Sequence, residues 1–541
     1  MTRERRLPSR SHQGVTTDMA VAAAQGTGVC IRPLLRKVTD RATGSVYTVP
    51  LPCGSTRETV CQPCAEKARR LRMHQCREGW HLTEDPPRPD PAPDEEQDED
   101  EDEQLDDDAD PEAEETGSRR VRSTRHLPGF PDLPTVPVED RTIGTAFTDE
   151  KTGRTYRPSM FLTFTLPSYG KVIPGTGVPR NPSSYDYRRA ALDALLFPRL
   201  VDRLWQNLRR AAGYKVQYFA AVEPQRRLAP HLHAAVRGAI PRSTIKAVTR
   251  ATYAVIWWPP IDEVVYEGER LPGWHPDLGG YLDPDTGAAL PTWDEALDRL
   301  DRDGETTEPM HVMRFGSQVD IKGLLGGTPD SDRAVRYLCK YLTKSVSETY
   351  GTRSDEPDPA EPDPTALAYE RHIDRLHSEV RWLPCSPACA NWIRYGIQPK
   401  DAGPGLIPGQ CPSKAHDREH LGLGGRRVLV SRQWSRKTLS QHRTDRAAVV
   451  REVLNEAGID APEAADRLAA DALHDDGLPR FVWEDVPVLE RDYTTVIAQS
   501  LRQARRWREQ YEHAKTITAQ RGSPPGGLVD SHSATTGKGM T

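Results

Sequence analysis

Two histidines separated by one leucine lie in the segment Arg227-Leu228-Ala229-Pro230-His231-Leu232-His233-Ala234-Ala235-Val236-Arg237. Apolar residues alternate with these histidines, which predicts a β-strand, and residues two apart on a strand point to the same face. His231 and His233 would then lie side by side, close enough to bind one cation. Taken alone, the pair is more typical of a strand with two half-exposed histidines.

A carboxylate is predicted beside the pair. Glu223 ends a strand-like run at 216–222, eight residues before His231. A turn through Pro224 and Pro230 would bring this side chain next to the imidazoles. Two imidazoles and one carboxylate can hold a divalent cation and leave positions open for substrate oxygens.

A second pattern is the segment Tyr337-Leu338-Cys339-Lys340-Tyr341-Leu342-Thr343-Lys344, in which Tyr-x-x-Lys occurs twice. The flanking residues predict an amphipathic helix, on which Tyr337 and Tyr341 share one face and the two lysines share the neighbouring face. A surface helix with two packed tyrosines would also produce this pattern. It would not explain why the pattern follows a pair of histidines suited to metal binding.

These segments resemble the motifs of the HUH endonuclease superfamily, which contains rolling-circle replication initiators, conjugative relaxases and related transposases. The strand-like run 160–167 matches the first motif, His231-Leu232-His233 the second, and the segment 337–344 the third. The motif order and the tyrosine doublet most resemble replication initiators of the phage gene-A type. Flanking cysteine blocks resemble initiators of actinobacterial plasmids and integrative elements.

The resemblance implies an α+β fold: an HUH or ferredoxin-like (RRM-like) antiparallel sheet with helices on one face. We expect the order β-α-β-β-α-β-α, with a long helix at 187–211 and a fourth strand at 312–321. The open face of the sheet would receive single-stranded DNA. His231, His233 and Glu223 would bind Mg²⁺ or Mn²⁺.

The resemblance also implies that a tyrosine attacks a DNA phosphate, giving a 5′-phosphotyrosine and a free 3′-hydroxyl. Tyr341 is the favoured nucleophile, because single-tyrosine relatives resemble its Lys-Tyr-x-x-Lys context. Tyr337 would be a second nucleophile or a packing residue. Lys340 and Lys344 would stabilise the phenolate or the transition-state phosphate.

Cysteines form two clusters outside these motifs. Cys61-Gln62-Pro63-Cys64 can bind one side of a tetrahedral zinc, and Cys30 with Cys53 can complete it, with Cys76 as the alternative fourth ligand. Nine cysteines without an export signal favour metal binding over disulfides. Free thiols are the alternative.

The second cluster offers four zinc ligands, namely Cys385, Cys389, Cys411 and His416. Its irregular spacing makes it the weaker of the two predictions, and His420 is another candidate ligand. Basic residues around it alternate with Trp392, Tyr395 and Trp434, a combination suited to phosphate contact and base stacking. An ordinary basic surface would look the same.

Charge is distributed unevenly along the chain, which has a formal net charge of −6. Residues 84–115 contain 19 acidic residues and one arginine, so the rest of the chain has 60 acidic and 72 basic residues. The basic remainder is typical of a DNA-binding protein. The acidic run predicts either a segment that restrains non-specific binding or a solubilising linker.

Local composition and the positions of glycine and proline predict several domains and linkers. They are a disordered lead (1–25), a zinc-ribbon-like module (26–82), an acidic disordered linker (83–125), the endonuclease domain (126–350) with an insertion (259–310), a linker (351–378), a Cys/His basic module (379–444), a helical tail (445–515) and a disordered end (516–541).

The predicted function is initiation of plasmid or integrative-element replication by strand-specific nicking and rejoining at a rolling-circle origin. Single-stranded or hairpin origin DNA would be the substrate. No Gly-x4-Gly-Lys-[Ser/Thr] motif occurs, so a host helicase would unwind the duplex. We expect a cytoplasmic protein, because no segment is typical of a signal peptide or a membrane span.

Two alternative functions remain open. A conjugative relaxase or a transposase would use the same chemistry, although the third histidine usual in relaxases is not evident beside His231. A zinc-containing DNA-binding regulator with an inactive nuclease core would need neither His231 nor Tyr341.

Overall fold

A computed structural model describes most of the chain. The described residues are 17–80, 127–139, 141, 147–148, 150, 153, 155–156, 158–303, 308–325, 328–340, 342–343, 364–424, 427–458, 473–474, 476–487 and 492–520. The predicted acidic linker, 83–125, lies outside them. The chain divides into a terminal unit, Met1–His74 with Lys437–Thr541, and a central unit, Gln75–Arg436.

The terminal unit combines helices with a three-stranded antiparallel sheet. Its elements are α1 (Thr17–Thr27), β1 (Leu34–Asp40), β2 (Val46–Leu51), the first part of α2 (Glu58–Trp80), α9 (Leu439–Glu456), β14 (Phe481–Asp485) and α10 (Tyr493–Gln520). The strand order is β14-β1-β2. A strand from the C-terminal segment therefore completes the sheet that the N-terminal segment begins.

This arrangement differs from the predicted disordered lead (1–25) at residues 17–25, residues 1–16 lying outside the described residues, and it adds a strand to the predicted helical tail (445–515). Helix α1 occupies Thr17–Thr27, and strand β14 lies within the predicted tail. Ala20 and Ala24, one helical turn apart, are buried with Ile497 of α10. The alanines of α1 favour a helix, but a helix of 11 residues is marginal alone, and the partner that stabilises it lies at the other end of the chain.

The central unit is built around a five-stranded antiparallel sheet in the order β12-β5-β7-β6-β13. Its elements are β3 (Phe147–Thr148), β4 (Thr155–Tyr156), β5 (Pro158–Thr165), α3 (Tyr187–Leu195), α4 (Phe197–Ala212), β6 (Tyr218–Pro224), β7 (Pro230–Arg237), α5 (Arg242–Ala251), β8 (Tyr253–Ile256), β9 (Gly273–His275), β10 (Gly280–Leu282), α6 (Trp293–Asp303), β11 (His311–Arg314), β12 (Val319–Leu325), α7 (Pro329–Leu338), α8 (Pro364–Trp382) and β13 (Val428–Val430). The prediction of an α+β fold with antiparallel sheets is confirmed.

One face of the sheet packs on helices to form the main core. Leu162, Leu232 and Val222, on three neighbouring strands, are buried there with the apolar stripe of α4. The predicted long helix at 187–211 is divided into α3 and α4. Pro198 lies in the first turn of α4, where proline is tolerated because its missing N–H has no helical partner.

The predicted fourth strand at 312–321 is also divided. Strand β11 pairs with β8, and β12 pairs with β5 in the central sheet. Between them, the Gly316 N–H donates to the Thr165 carbonyl at 2.7 Å. No helix in the described residues has an apolar stretch long enough to cross a membrane.

The opposite face is partly covered, which differs from the open face predicted for DNA. At one end, helix α7 brings Tyr337 against His233 and Phe161, with ring centroids 5.0 and 6.0 Å apart. At the other end, the buried Arg237 guanidinium donates to the carbonyls of Gly79 and Trp434 and lies over the Trp434 ring. Only part of this face is therefore available to a ligand.

The predicted Cys/His module at 379–444 is not separate from the central sheet. Strand β13 pairs with β6, and Trp392 is buried in the main core. The predicted insertion, 259–310, contributes Trp293 to the same core, 4.9 Å from the Trp392 ring. Because Trp293 and Trp392 are buried together, the predicted insertion and the predicted module contribute to one core.

Gly79 is predicted to be required for packing at the covered end of the sheet. A Cβ at this position would lie 2.1 Å from the Trp434 ring, which is fully buried and has no room to move. Gly79→Ala should lower the free energy of unfolding by about 1–3 kcal/mol through overpacking. Thermal denaturation of the full chain measures this change.

Gly26→Ala is the matched control, because Gly26 lies in helix α1 with no atom within 4 Å of an added Cβ. Its melting temperature should equal or slightly exceed that of the wild type. Equal melting temperatures for both variants would contradict the packing argument.

Candidate functional site

Strand pairing brings together the three residues predicted to bind a cation. In the β6–β7 ladder, Glu223 lies opposite His231 and Ala221 lies opposite His233. All three side chains point away from the main core, because Leu232 between the histidines points into it. One ligand atom from each of Glu223, His231 and His233 lies within 4.8 Å of the others.

His233 is held by hydrogen bonds at both ring nitrogens. Nε2 lies 2.8 Å from Glu223 Oε1, and Nδ1 lies 3.0 Å from Thr163 Oγ1. When the proton is on Nδ1, the ring donates a hydrogen bond to Thr163 Oγ1. The unprotonated Nε2 and the Glu223 carboxylate then face each other with a lone pair on each side. A cation bound between them relieves this repulsion.

His231 provides a further observation in favour of a cation. Its Nε2 is buried and has no hydrogen-bond partner among the described residues. Burial, with smaller contributions from the charges of His233 and Arg227, lowers the pKa of His231 to about 3. The imidazole is therefore neutral at physiological pH, which is the form that binds metal.

The separation of the ligand atoms also fits a small divalent cation. Bonds of about 2.1 Å at right angles place neighbouring ligands about 3 Å apart. The 2.8 Å between His233 Nε2 and Glu223 Oε1 agrees with that spacing. Two imidazole nitrogens and one carboxylate oxygen suit Mn²⁺. Mg²⁺ prefers sites with fewer imidazoles.

Tyr337 lies at the edge of this cluster. Its hydroxyl is 3.4 Å from His233 Nε2, at the long end of the hydrogen-bond range. Helix α7 begins at the Thr328 cap and ends at Leu338, so Lys340 follows the helix instead of lying on one of its faces. Tyr341 and Lys344 lie outside the described residues, and their roles stay predictions.

Sequence reasoning missed two residues that position the cluster. Thr163 belongs to the predicted first strand, but only the β5–β7 register shows that it faces His233. Arg227 precedes β7 and donates to the carbonyls of Leu166 (2.6 Å) and Pro167 (2.8 Å), just beyond β5. These contacts join residues sixty or more positions apart, so no local pattern reveals them.

Arg227 fixes the turn between two of the predicted ligands. Its Nε donates to Gln225 Oε1 at 2.7 Å, its guanidinium lies over the Tyr169 ring, and its carbonyl accepts from the Tyr185 hydroxyl. Burial lowers the pKa of Arg227 from its ordinary value. The turn from Glu223 to His231 is therefore anchored from three directions.

The first cysteine cluster brings together the four residues predicted to bind zinc, namely Cys30, Cys53, Cys61 and Cys64. The Cys30 and Cys61 sulfurs are 3.8 Å apart. A tetrahedral zinc with bonds of about 2.3 Å requires sulfurs about 3.8 Å apart, whereas a disulfide requires about 2.05 Å. Cys76, the alternative ligand, is buried outside this group.

Local geometry explains how Cys61-Gln62-Pro63-Cys64 presents two sulfurs. Cys61 has extended backbone angles (φ −159°, ψ 94°), so regular helix starts after it. Pro63 then occupies the first helical turn, where its fixed φ is suitable. Cys61 and Cys64 can therefore approach one ion from the loop and from the helix.

The second cluster brings together Cys385, Cys389, Cys411 and His416. The Cys385 and Cys411 sulfurs are 3.9 Å apart, and Cys389 Sγ lies 3.5 Å from His416 Nε2. His416 Nδ1 donates to the Val380 carbonyl at 2.7 Å, which leaves Nε2 as the metal-binding nitrogen. Both clusters can bind a structural metal ion such as zinc.

The aromatic residues near the second cluster are not available for base stacking. Trp392 and Trp434 are fully buried, and Tyr395 is 7 % exposed. Trp392 packs in the main core, and Trp434 packs against Arg237. The alternation of basic and aromatic residues here reflects packing, which differs from the predicted nucleic-acid surface.

Comparison with known families identifies the wider group. A family model described as replication initiator protein, pSAM2 (RepSA) matches residues 16–492, most of the chain. The chain belongs to the RepSA family. No curated protein and no solved structure gives a significant match. The match supports the predicted plasmid replication initiator and includes both cysteine clusters as well as the Glu223, His231 and His233 site.

The RepSA chain is predicted to contain two zinc ions per molecule. Cys61→Ser and Cys389→Ser should each retain one, because each removes a ligand from a different cluster. Mass spectrometry of the metal content of purified protein measures the ratio. Cys76→Ala is the control and should retain two ions, and a wild-type chain without zinc would contradict the prediction.

Thr163→Val is predicted to weaken Mn²⁺ binding about 10- to 100-fold, because His233 loses the partner that orients its ring. Calorimetric titration with Mn²⁺ measures the affinity. Thr165→Val is the matched control, since Thr165 lies on the same strand face but donates to the Gln318 carbonyl. Equal affinities for the two variants would show that Thr163 does not position the ligand.

Proposed function

We propose that this RepSA protein nicks and rejoins one DNA strand at a rolling-circle origin, through a 5′-phosphotyrosine intermediate, as a member of the HUH endonuclease superfamily. The observation that supports this most directly is the position of Tyr337, whose hydroxyl is 3.4 Å from a nitrogen of the Glu223, His231 and His233 cluster. A phenol beside a candidate cation site is the arrangement that tyrosine-mediated phosphoryl transfer requires.

In the proposed reaction, a tyrosine oxygen attacks the scissile phosphorus. The tyrosine hydroxyl gives up its proton as the new bond forms, the bond from phosphorus to the 3′-oxygen breaks, and that oxygen takes up a proton and leaves as a hydroxyl. The DNA is then joined through its 5′-phosphate to the tyrosine. The reverse attack by a 3′-hydroxyl rejoins the strand, so the phosphodiester energy is conserved and no nucleotide cofactor is needed.

The residues of the site have separate proposed roles. Glu223, His231 and His233 would hold Mg²⁺ or Mn²⁺, which would polarise the scissile phosphate and neutralise its developing charge. Thr163 and Arg227 keep these ligands in position. Lys340 and Lys344 would lie near the tyrosines and stabilise the phenolate, whose pKa in water is about 10.

Tyr337 and Tyr341 remain the two candidate nucleophiles. The position of Tyr337 supports a direct role for it, whereas the resemblance favours Tyr341 as the indispensable one. Two nucleophiles would allow one tyrosine to cleave while the other holds the parental strand. Family membership favours replication over conjugative transfer or transposition. A host helicase would supply unwinding.

The test is covalent capture of DNA. Purified full-length protein is mixed with Mn²⁺ and labelled single-stranded hairpins tiled across the replication region of its own element, then run on a denaturing gel. The wild type should give a shifted protein–DNA band that requires metal. His233→Ala should abolish the band. The double variant Tyr337→Phe/Tyr341→Phe should also abolish it.

Single substitutions assign the nucleophile, since the tyrosine whose loss removes the first cleavage is the primary one. Tyr253→Phe is the matched control, because Tyr253 lies on β8, outside the cluster, and should leave the band intact. Specific binding of the hairpins without any adduct would overturn the nicking mechanism and favour a DNA-binding regulator.

A further inference from the structure

A short β-hairpin, residues 171–180, follows strand β5 at the end of the sheet that carries Glu223 and His231. Val172 bridges Pro179 across it, and the Ile173 N–H donates to the Val178 carbonyl at 2.8 Å. Its base continues from Leu166 and Pro167, whose carbonyls bind Arg227. The hairpin therefore starts where the motif strand β5 ends.

The hairpin is fixed against the turn that joins Glu223 to His231. Arg226 in that turn donates to the Gly175 carbonyl near the hairpin tip. Gly177 has a φ of +80° and approaches the Arg226 backbone so closely that a Cβ would lie 2.4 Å from it. The hairpin and the turn consequently form one continuous surface at the end of the sheet that carries Glu223 and His231.

This surface carries positive charge without acidic neighbours in sequence. Lys171, Arg180 and Arg226 are exposed, and the segments 166–185 and 224–232 contain no aspartate or glutamate. Asp186, which follows, caps helix α3 by accepting from the Arg189 N–H at 2.9 Å. We define Lys171, Arg180 and Arg226 as the basic rim.

The rim contains a pairing that is unfavourable without an anion. The Arg180 N–H donates to the Lys171 carbonyl at 2.9 Å, and the neighbouring Val172–Pro179 bridge puts the two residues directly across the ladder. Like charges at directly opposed positions destabilise a hairpin. A phosphodiester backbone bound between them would convert this repulsion into attraction.

We propose that the basic rim binds the phosphates of the DNA next to the nicked bond and guides that strand into the cation site. This inference rests on the proposed function and adds the surface that receives the substrate. The rim contacts phosphates and reads no base, so it positions the strand without specifying its sequence.

The test is the salt dependence of DNA binding by the full-length protein, without added divalent cation. The probes are a fluorescent 30-nucleotide mixed-sequence single strand and a hairpin with a 12-base-pair stem and a single-stranded tail. For Lys171→Gln/Arg180→Gln/Arg226→Gln, the slope of log K against log salt should fall by about 2 on the single strand, at about 0.7 per lost phosphate contact.

Two further variants separate the rim from net charge and from folding. Arg242→Gln/Lys246→Gln/Arg250→Gln removes the same charge from exposed positions of α5, whose buried residues Ile245 and Val248 face the main core. Its slope should match that of the wild type. Lys171→Gln/Arg180→Gln keeps the Arg226 bond to Gly175 and should have an unchanged or higher melting temperature with a reduced slope.

A reduced slope on both probes, each of which contains single-stranded DNA, supports the rim. A reduction on the hairpin alone would overturn it, because the lost contacts would then be to stem phosphates. Wild-type slopes for the rim variants, or equal losses for the rim and α5 variants, would overturn it. Adduct formation by the wild type reports on nicking separately. If the wild type forms no adduct but the slope changes only in the rim variants, the nicking mechanism is rejected. If the wild type forms the adduct and the rim variants keep the wild-type slope, the rim is rejected.

Discussion

The antiparallel register of β5, β7 and β6 is the constraint on which the candidate site depends. It places Thr163 and Ala221 on either side of His233, and Glu223 opposite His231. A slip of one residue would turn both histidines into the core, because neighbouring side chains on a strand point to opposite faces. Burial of Leu232 on the helix-covered face opposes that slip. The same hydrophobic alternation that builds the core therefore holds the polar cluster on the other face.

The face that carries this cluster has two different ends. At the Arg237 end, a buried guanidinium, two backbone carbonyls and the Trp434 ring close the surface. At the His231 end, Tyr337 of helix α7 lies beside His233, and the turn anchored by Arg227 closes the end of the sheet. One end is closed by packing, and the other carries the candidate cation site and Tyr337. This division limits the space in which a DNA strand could lie on the sheet.

The two cysteine clusters belong to different units, each formed entirely within its own unit. The first joins the segment before β1 to the start of α2. The second lies beyond α8, whose Val380 carbonyl orients His416. Helix α8 also carries His372, which is hydrogen-bonded to Tyr187 of α3 at 2.8 Å. A metal at the second cluster would therefore stabilise a helix that packs against the sheet-bearing core.

The amino-acid sequence alone was sufficient for contacts set by short spacing. The His-x-His pair and the neighbouring Glu223 were predictable, because strand alternation acts over a few residues. Both cysteine clusters join more distant positions, and they were predictable because thiolates and imidazoles are the ligands that zinc prefers. The pairing of β14 with β1, and the inclusion of 379–436 in the central unit, depend on partners far along the chain. Thr163 and Arg227 belong to this second class, since their roles arise from the register and from carbonyls beyond β5. Tertiary packing also decided that Trp392 and Trp434 are buried, because composition does not distinguish a tryptophan that stacks on a base from one that fills a core.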